Sequence, residues 1–336
     1  MSKIVPRDLE QTVRNIVHDT PALDVWSDIR PAAEPSSGRL DRLLTQPELL
    51  DQYRQVCGAI PDGLSIRSIA DHIWSELFVR RSPISEHCRV VLTTLNRVGM
   101  REQVQARSLE QLRDRINQLT DESWMQTLMD GARLESVSVD STASAGAAPD
   151  GSAHIYLNTA DEQTDFSRGG HCTLDLKDGL DPAALDRLLS RAAERRMTVV
   201  CEVHNPALLP LIGPRPGLRW VLSAINASIY PMLTHVAGSD VRISGRWMSA
   251  MHQVYELTRT HMDMFGTGFI HGYSRSRVPE HLVGRWVHLR SVLVNVLCEK
   301  YRVLIYTGWN LTAESITADV QSLLRPSLAA APPAEG

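Results

Sequence analysis

The stretch HCTLDLKDGLDPAALDRLLSRAAERRMTVVCEVH, residues 171–204, decides the fold class of this chain. Its two ends, 171–176 and 198–204, have the composition of buried strands. Between them, Asp181 and Pro182 suit the N-cap and the first position of a helix. The apolar residues of that helix recur at helical spacing, at Leu185, Leu188, Leu189 and Ala192. A strand, an amphipathic helix and a second strand form a βαβ unit, which requires a parallel sheet.

The same kind of pattern extends outward from this unit in both directions. Further strands are predicted at 22–26, 134–139, 219–225, 240–244 and 267–274. Helices are predicted at 8–18, at 279–300 and from an N-cap at Thr312 to Leu324. The tryptophans near predicted helices are expected in the core, namely Trp74, Trp124, Trp286 and Trp309.

Residues 40–130 differ from the rest because they show almost only helical periodicity. The last segment of this block runs from Ser108 to Met129, with Ser108 and Gln111 placed as in a capping box. Gly131 stands where a C-cap glycine is expected. We therefore predict a helical insertion of about 90 residues that follows the first strand.

Composition restricts the possible functions. The 336 residues carry a formal charge of −4 and a pI near 6.3, which argues against a nucleic-acid partner. No apolar run reaches membrane-spanning length, and the N-terminus lacks the features of a signal peptide, so we expect a cytoplasmic protein with no membrane partner. The five cysteines form no C-x-x-C pair, and no P-loop or dinucleotide motif is present, so no cofactor is predicted.

Three blocks of the sequence are more specific than periodicity. They are FVRRSPISEHCRVVLTTLNRVG (78–99), MFGTGFIHGYSRSRVPEHLVGRWVHLRSVLVNVLCEKY (264–301) and TGWNLTAESITADVQSLL (307–324). Together they resemble the uronate isomerase branch of the amidohydrolase superfamily. The resemblance implies an α/β fold, a distorted (β/α)8 TIM-type barrel with a large helical insertion after the first strand. We expect a single domain over 1–325 and a disordered tail over 326–336.

The resemblance also implies a metal site, which this sequence has lost. The first strand of the family ends in D-x-H-x-H, and here Trp26 and Asp28 replace the two histidines after Asp24. An indole N–H is only a donor and cannot bind a cation. The last strand of the family is close to H-S-D-A-R-V, and Arg275 stands in the place of its aspartate. A permanent cation there would repel a divalent ion, so no bound metal is predicted.

Four residues are candidates for catalysis. Arg275 could supply positive charge in place of the metal, pairing with Asp28 or with a substrate carboxylate; the alternative is an inert salt bridge. Glu202 and His204 end the strand 198–204 on the same side, where barrel enzymes place functional groups. They could form an acid–base pair or half of a new metal site; the alternatives are a buried carboxylate beside a cation and a loop histidine.

Four residues are candidates for substrate binding. Tyr273 could donate a hydrogen bond to an oxyanion, and His271 lies near Arg275 on the last strand. Arg277 matches an arginine of the family and could bind an anion, although we favour a scaffold ion pair. Trp26 is expected to fill the space of the lost metal site, with stacking on a planar ligand as the alternative.

Three functions of different classes are compatible with these residues. The first, which we favour, is a metal-independent isomerase, lyase or cyclase acting on a small acid-bearing or polar metabolite. The second is a catalytically inactive homologue that binds a small molecule or a partner subunit. The third is an enzyme with a relocated metal site that uses His204, Glu202 and either His235 or His271. The apolar helical insertion could also supply the interface of a homo-oligomer.

Overall fold

The computed structural model describes most of the chain. The described residues are 4–27, 29, 38–137, 139–140, 153–156, 171–176, 182–203, 209–210, 215–224, 229–233, 235–236 and 240–326. The predicted candidates Asp28 and His204, the N-cap Asp181 and the predicted tail beyond residue 326 lie outside this part. None of the described helices is long and apolar enough to cross a membrane.

The strands are short and parallel. They are β1 (Ala22–Asp24), β2 (Leu134–Val137), β3 (Val139–Asp140), β4 (Ala153–Tyr156), β5 (His171–Leu176), β6 (Thr198–Val203), β7 (Arg219–Ala224) and β8 (Val241–Ile243). Strand β1 pairs with β2, and β3 to β8 form a six-stranded sheet in chain order. Every one of these pairings is parallel. The βαβ unit over 171–204 therefore belongs to an α/β fold, as predicted.

The position of β6 between β5 and β7 explains why this strand is buried along its length. Cys172 of β5 pairs with Val199 of β6, which pairs in turn with Trp220 of β7. All residues of β6 are buried because parallel sheets are covered on both faces. Glu202, near the carboxyl end of β6, is the one charged side chain in this strand.

The predicted strand 267–274 is mostly irregular. Its only ladder contact in the described part is a parallel bridge between Ser244 and Ile270. Further along the segment, the backbone N–H of Arg275 donates to the carbonyl of Trp26, at 3.1 Å. The segment after β8 therefore contacts the β8 end on one side and the residues after β1 on the other.

Helices make up most of the remaining described structure. They are α1 (Pro6–Asp19), α2 (Arg39–Leu44), α3 (Pro47–Cys57), α4 (Ile66–Ile73), α5 (Glu86–Arg97), α6 (Arg101–Gln105), α7 (Leu109–Asn117), α8 (Asp121–Ala132), α9 (Pro182–Glu194), α10 (Tyr230–Leu233), α11 (Met251–Phe265), α12 (Glu280–Tyr306) and α13 (Ala313–Leu324). Helix α4 continues as a π-helical segment, Trp74–Val79. The helical block after the first strand is thus α2 to α8, as predicted.

Two helical predictions need correction. The segment from Ser108 to Met129 is two helices, α7 and α8, with Ser108 and Thr120 as their N-caps. Gly131 lies within α8 and does not cap it; the cap is Arg133, which has a left-handed φ of 55°. Helix α11 was not predicted from the sequence.

Helix α12 organises the main core. It packs against α1, α5, α8 and α11, and most of its residues between 280 and 301 are buried. At Gly284 the helix touches α5 so closely that a Cβ would lie 2.4 Å from the carbonyl oxygen of Val90. Of the tryptophans expected in the core, Trp74, Trp124 and Trp286 are buried, whereas Trp309 is 62% exposed. The prediction for Trp309 was wrong because the residue follows the end of α12 in a surface turn.

Candidate active site

Polar side chains collect where the parallel strands end. Trp26 follows β1, Glu202 lies near the end of β6, and Arg246 follows β8. Tyr273 and Arg275 follow the bridge at Ile270. The carboxyl ends of parallel strands lie at one edge of a sheet, which brings these five residues together.

Asp24, at the end of β1, forms hydrogen bonds with the segment 267–275 that follows β8. Its buried carboxylate accepts hydrogen bonds from the backbone N–H of Ser274 at 3.3 Å, the hydroxyl of Ser27 at 3.2 Å and Trp286 Nε1 at 2.8 Å. Burial raises the pKa of Asp24, and these hydrogen bonds oppose that rise. Asp24 thus holds the residues after β1, which include Trp26, against the segment that carries Ser274 and Arg275.

Glu202 is the centre of a buried ion-pair cluster. Its side chain is fully buried and forms salt bridges with Arg246 and, at 2.7 Å, with Arg275 Nη1. The hydroxyl of Tyr273 donates to Glu202 Oε1 at 3.4 Å. Both carboxylate oxygens are therefore engaged by neighbouring side chains. The carboxylate offsets part of the charge of the two guanidinium groups and fixes their positions.

Trp26 and Tyr273 fill the interior beside this cluster. Their rings stack with centroids 5.2 Å apart, and both side chains are buried. They pack with Val25, Val200, Val221 and Ile270 in a small apolar core of their own. The Arg275 guanidinium carbon lies 5.6 Å from the centre of the Trp26 ring. Trp26 therefore occupies interior space beside the Glu202 cluster.

Arg275 has an unusual backbone conformation. Its φ of 49° is in the left-handed region, which residues other than glycine seldom adopt. Two contacts stabilise this conformation: the N–H donates to Trp26, and the carbonyl accepts from Arg285 at 2.7 Å. Residues held in this region cluster at active sites and ligand-binding positions.

A cavity of about 460 Å³ opens beside this cluster. We call it the arginine cavity. The residues that carry charge or imidazole on its wall are Glu48, His87, Arg246, Arg275, Arg277 and Arg285. Four of these six are arginines, whose side chains stay charged at any physiological pH.

Arg285 is a buried member of this wall. It donates to the carbonyls of Ser274 and Arg275, and its guanidinium lies 4.1 Å from the centre of the Trp247 ring. Glu48 Oε1 lies 3.6 Å from Arg285 Nη2. Burial lowers the pKa of Arg285 to about 10, so it remains protonated at neutral pH.

His87 reaches the same cavity from helix α5. Its ring meets the edge of Trp247 with centroids 6.1 Å apart. Burial is the main reason why the pKa of His87 is lowered, and nearby Arg285 lowers it further. At neutral pH His87 is therefore an uncharged imidazole that can accept a proton.

The structure brings together some of the predicted site residues and separates others. Arg275 and Arg277 line the arginine cavity. Glu202 and Trp26 contact Arg275, and Tyr273 contacts Glu202 and Trp26. Arg275 pairs with Glu202, whereas the predicted partner Asp28 is outside the described residues. The ring of His271 is buried in the main core instead, where Nε2 is 2.8 Å from the Leu289 carbonyl.

Four of the six charged or imidazole-bearing residues of the cavity wall were not predicted from the sequence. Arg246 could have been predicted, because it follows a predicted strand, and barrel enzymes place their functional residues after the carboxyl ends of strands. His87, Glu48 and Arg285 lie on helices, and no spacing in the sequence connects them. Only tertiary packing brings α3, α5 and α12 to the ends of the strands.

Among the described residues, the side chains at the strand ends do not fit a divalent cation. The rings of Trp26 and Tyr273 and the guanidinium groups of Arg246 and Arg275 surround the carboxylate of Glu202. Within the described ranges, no group of three or more His, Cys, Asp or Glu residues could hold a metal ion. His235, a ligand of the relocated site considered above, is exposed and lies after α10.

Comparisons with known proteins agree with the architecture. No family model and no curated protein sequence matches the chain. Among solved structures, a uronate isomerase from Bacillus halodurans C-125 matches with a TM-score of 0.79 at 22% identity, over 96% of each chain. A uronate isomerase from Thermotoga maritima matches with a TM-score of 0.68 at 11% identity, over 98% of this chain and 97% of the other. The chain therefore has a uronate isomerase-like fold.

Proposed function

We propose that the protein is a divergent uronate isomerase-like enzyme that binds a small acid-bearing metabolite in the arginine cavity. The reaction is that of an isomerase, lyase or cyclase and does not use a divalent metal. The observation that carries this proposal is the presence of four arginines on one cavity wall at the ends of the strands.

The proposal includes a distorted (β/α)8 barrel. Its support is the chain-order pairing of the parallel strands, together with the hydrogen bond between Arg275 and Trp26 that links the last segment to the first strand. In such barrels the active site lies at the carboxyl ends of the strands. The arginine cavity lies at that end, since Arg246, Arg275 and Arg277 all follow strand residues.

The size and the chemistry of the cavity suit a metabolite with a carboxylate. Its volume of about 460 Å³ is within the range of small-molecule sites. A guanidinium group can bind a carboxylate with two parallel hydrogen bonds, which fixes both position and orientation. The arginines therefore supply the positive charge that a metal ion would otherwise supply.

His87 is the group best suited to move a proton. An isomerase or lyase step removes a proton from a carbon beside a carboxylate or carbonyl, and negative charge then develops on oxygen. Guanidinium groups on the wall would stabilise that charge, and the neutral imidazole of His87 would take the proton. Glu202 is assigned a positioning role because both of its oxygens bind other side chains.

The test combines binding and turnover. Metal-free protein is titrated with D-glucuronate and D-galacturonate by calorimetry, and the products are followed by NMR. We expect His87→Gln to lower turnover by about 100-fold or more while the Kd changes less than about threefold. His72→Gln is the matched control, since His72 is exposed on α4 and away from the cavity.

Two results would contradict the proposal. Equal turnover in His87→Gln and His72→Gln would remove His87 from the reaction. Binding of the acids with no conversion would show instead a catalytically inactive homologue that binds small molecules. The fully engaged carboxylate of Glu202 is the observation that favours this second function.

A further inference from the structure

We infer that a small second cavity beside His87 binds one ordered water molecule, and that His281 acts through this water to position His87 for proton transfer. The inference rests on the proposed function, because that function makes His87 the proton acceptor. The water site and its effect on His87 can nevertheless be measured without any substrate.

The small cavity lies next to the arginine cavity and shares part of its wall. The shared residues are Glu48, His87, Trp247 and Arg285, and His281 of α12 is among those that complete the small cavity. Its volume of about 10 Å³ is close to the space that one water molecule needs. Every residue of this wall belongs to the described part of the chain. The cavity is thus too small for a metabolite and suited in size to a single water.

Four side chains of this wall each carry a buried polar atom that has no hydrogen-bond partner in the part of the chain that the structure describes. The atoms are Glu48 Oε2, Trp247 Nε1, His281 Nδ1 and Arg285 Nε. Trp247, His281 and Arg285 are more than nine-tenths buried. Buried polar atoms are nearly always satisfied, and an internal water with two to four polar partners is a common way to satisfy them. The wall supplies both donors and acceptors for such a water.

His281 is a neutral imidazole. Burial lowers its pKa well below the usual range, and the nearby charges of Arg285, His87 and Arg277 lower it further. A neutral imidazole has one N–H and one nitrogen that accepts a hydrogen bond, whereas an imidazolium has no acceptor. Nδ1 of His281 can therefore accept a hydrogen bond from the water.

His87 lines both cavities, and it forms no hydrogen bond with any residue that the structure describes. The nitrogen that carries the proton in a neutral imidazole is set by the hydrogen bond that the ring makes. The water accepts the N–H of His87 and donates to Nδ1 of His281. The other nitrogen of His87 is then unprotonated and can take a proton from a ligand in the arginine cavity. His281 is thus a positioning residue that fixes the tautomer of His87.

A high-resolution crystal structure of the full-length protein tests the water site directly. We expect one ordered water at about 2.7–3.2 Å from both His281 Nδ1 and a ring nitrogen of His87. A small cavity without electron density for a water, or with a water that does not reach both rings, overturns the inference.

Two variants of His281 test its effect on His87. His281→Phe removes the acceptor, whereas His281→Asn keeps a carbonyl oxygen near the position of Nδ1. We expect His281→Phe to lower kcat about tenfold with KM changed less than about threefold, and His281→Asn to restore most of kcat. His271→Gln is the control, because His271 is also a buried histidine but lies in the main core. Melting temperatures show that each variant is folded.

NMR titration of labelled imidazoles measures His87 without turnover, and its signal is assigned from His87→Gln. We expect His281→Phe to lower the pKa of His87, because its imidazolium loses the acceptor for one N–H, and His281→Asn to leave that pKa near the wild-type value. The charged groups around His87 are the same in both variants; they are Glu48, Glu86 and Arg285 and, on the wall of the arginine cavity, Arg246, Arg275 and Arg277.

The outcomes separate this inference from the proposed function. An unchanged kcat and an unchanged pKa of His87 in His281→Phe, or equal losses in His281→Phe and His281→Asn, overturn the positioning role and leave the proposed function in place. A wild-type protein that converts no acid overturns the proposed function. In that case the ordered water and the pKa of His87 still decide whether His281 positions His87.

Discussion

Glu202 shows how much a single buried charge depends on its neighbours. The side chain has no exposed surface, and its carboxylate lies between Arg246 and Arg275. Removing one member of a buried ion-pair cluster leaves the others without compensation in a medium of low polarity. The exposed pair of Glu10 and Arg14 on α1, at 2.8 Å, is well solvated by comparison.

Replacing Glu202 should therefore cost far more stability than replacing Glu10. We expect Glu202→Gln to lower the free energy of unfolding by about 3–5 kcal/mol, because two guanidinium groups lose a buried carboxylate with which both form ion pairs. Glu10→Gln should cost less than about 1 kcal/mol. Urea denaturation at pH 7 measures both values. Similar losses in the two variants would mean that water solvates the Glu202 cluster.

Two of the three residues of this ion-pair cluster, Glu202 and Arg275, were predicted from the sequence as site residues. Alternation along β6 placed Glu202 at the functional end of the strand, and Arg275 was identified by its position in the last segment. The contact between Glu202 and Arg275 depends on how the carboxyl ends of different strands pack together, and no local sequence pattern contains that information. The same holds for Arg246, which follows the predicted strand 240–244 but whose contact with Glu202 no sequence pattern indicates.

At the scale of the element, helix α12 shows the difference between local and packing signals. Its apolar spacing predicted a long helix, and the structure extends from Glu280 to Tyr306. Gly284 lies in its first turns, where the backbone of Val90 on α5 approaches. A Cβ at this position would be 2.4 Å from the Val90 carbonyl oxygen and 2.8 Å from its Cα. The close approach of α5 and α12 therefore requires glycine.

An alanine at this position should destabilise the protein. We expect Gly284→Ala to lower the free energy of unfolding by about 2 kcal/mol or more, because the obstacle is backbone that cannot move aside. Gly131→Ala in α8 is the matched control. Its Cβ would be 3.4 Å from a Val283 methyl group, and a helix-interior alanine is favoured by up to about 1 kcal/mol. If urea denaturation gives the same free energy of unfolding for Gly284→Ala and the wild type, the close packing of α5 against α12 is contradicted.

Helix starts were easier to predict than helix ends. Ser108 and Thr312 both accept a hydrogen bond from the N–H three residues later, as their sequences indicate. A capping serine or threonine acts within one turn, so its signal is local. Gly131 was wrongly predicted as a C-cap. A glycine can end a helix or allow another helix to approach closely, and only the packing distinguishes these two roles.

At the scale of the whole molecule, buried histidines make stability depend on pH. Desolvation by burial lowers the pKa of His261 to about 3 and that of His271 to about 4. In the unfolded chain both would have pKa values near 6.5. Below pH 6.5 the unfolded state therefore binds protons that the folded state does not bind, and folding loses stability as the pH falls.

A variant without one of these groups should be less sensitive to acid. Each buried histidine contributes up to about 1.4 kcal/mol per pH unit between its two pKa values. We expect His271→Gln, which keeps an N–H donor for the Leu289 carbonyl, to lose about 1–2 kcal/mol less than the wild type between pH 6.5 and 5. His72→Gln, at an exposed site, should follow the wild type. The free energy of unfolding is measured by urea denaturation at each pH. An equal dependence of that free energy on pH in all three proteins would refute the lowered pKa of His271.

The sequence by itself determined the α/β class, the parallel pairing implied by residues 171–204, the helical block after the first strand and most helix starts. These features follow from periodicity and capping, which act over a few residues. The tertiary structure alone decided the arginine cavity, in which His87 and Glu48 from the helical block meet Arg285 from α12 and Arg246 from the strand ends. Contacts between residues so far apart in the chain depend on the packing of whole elements, and that packing has no local signature in the sequence.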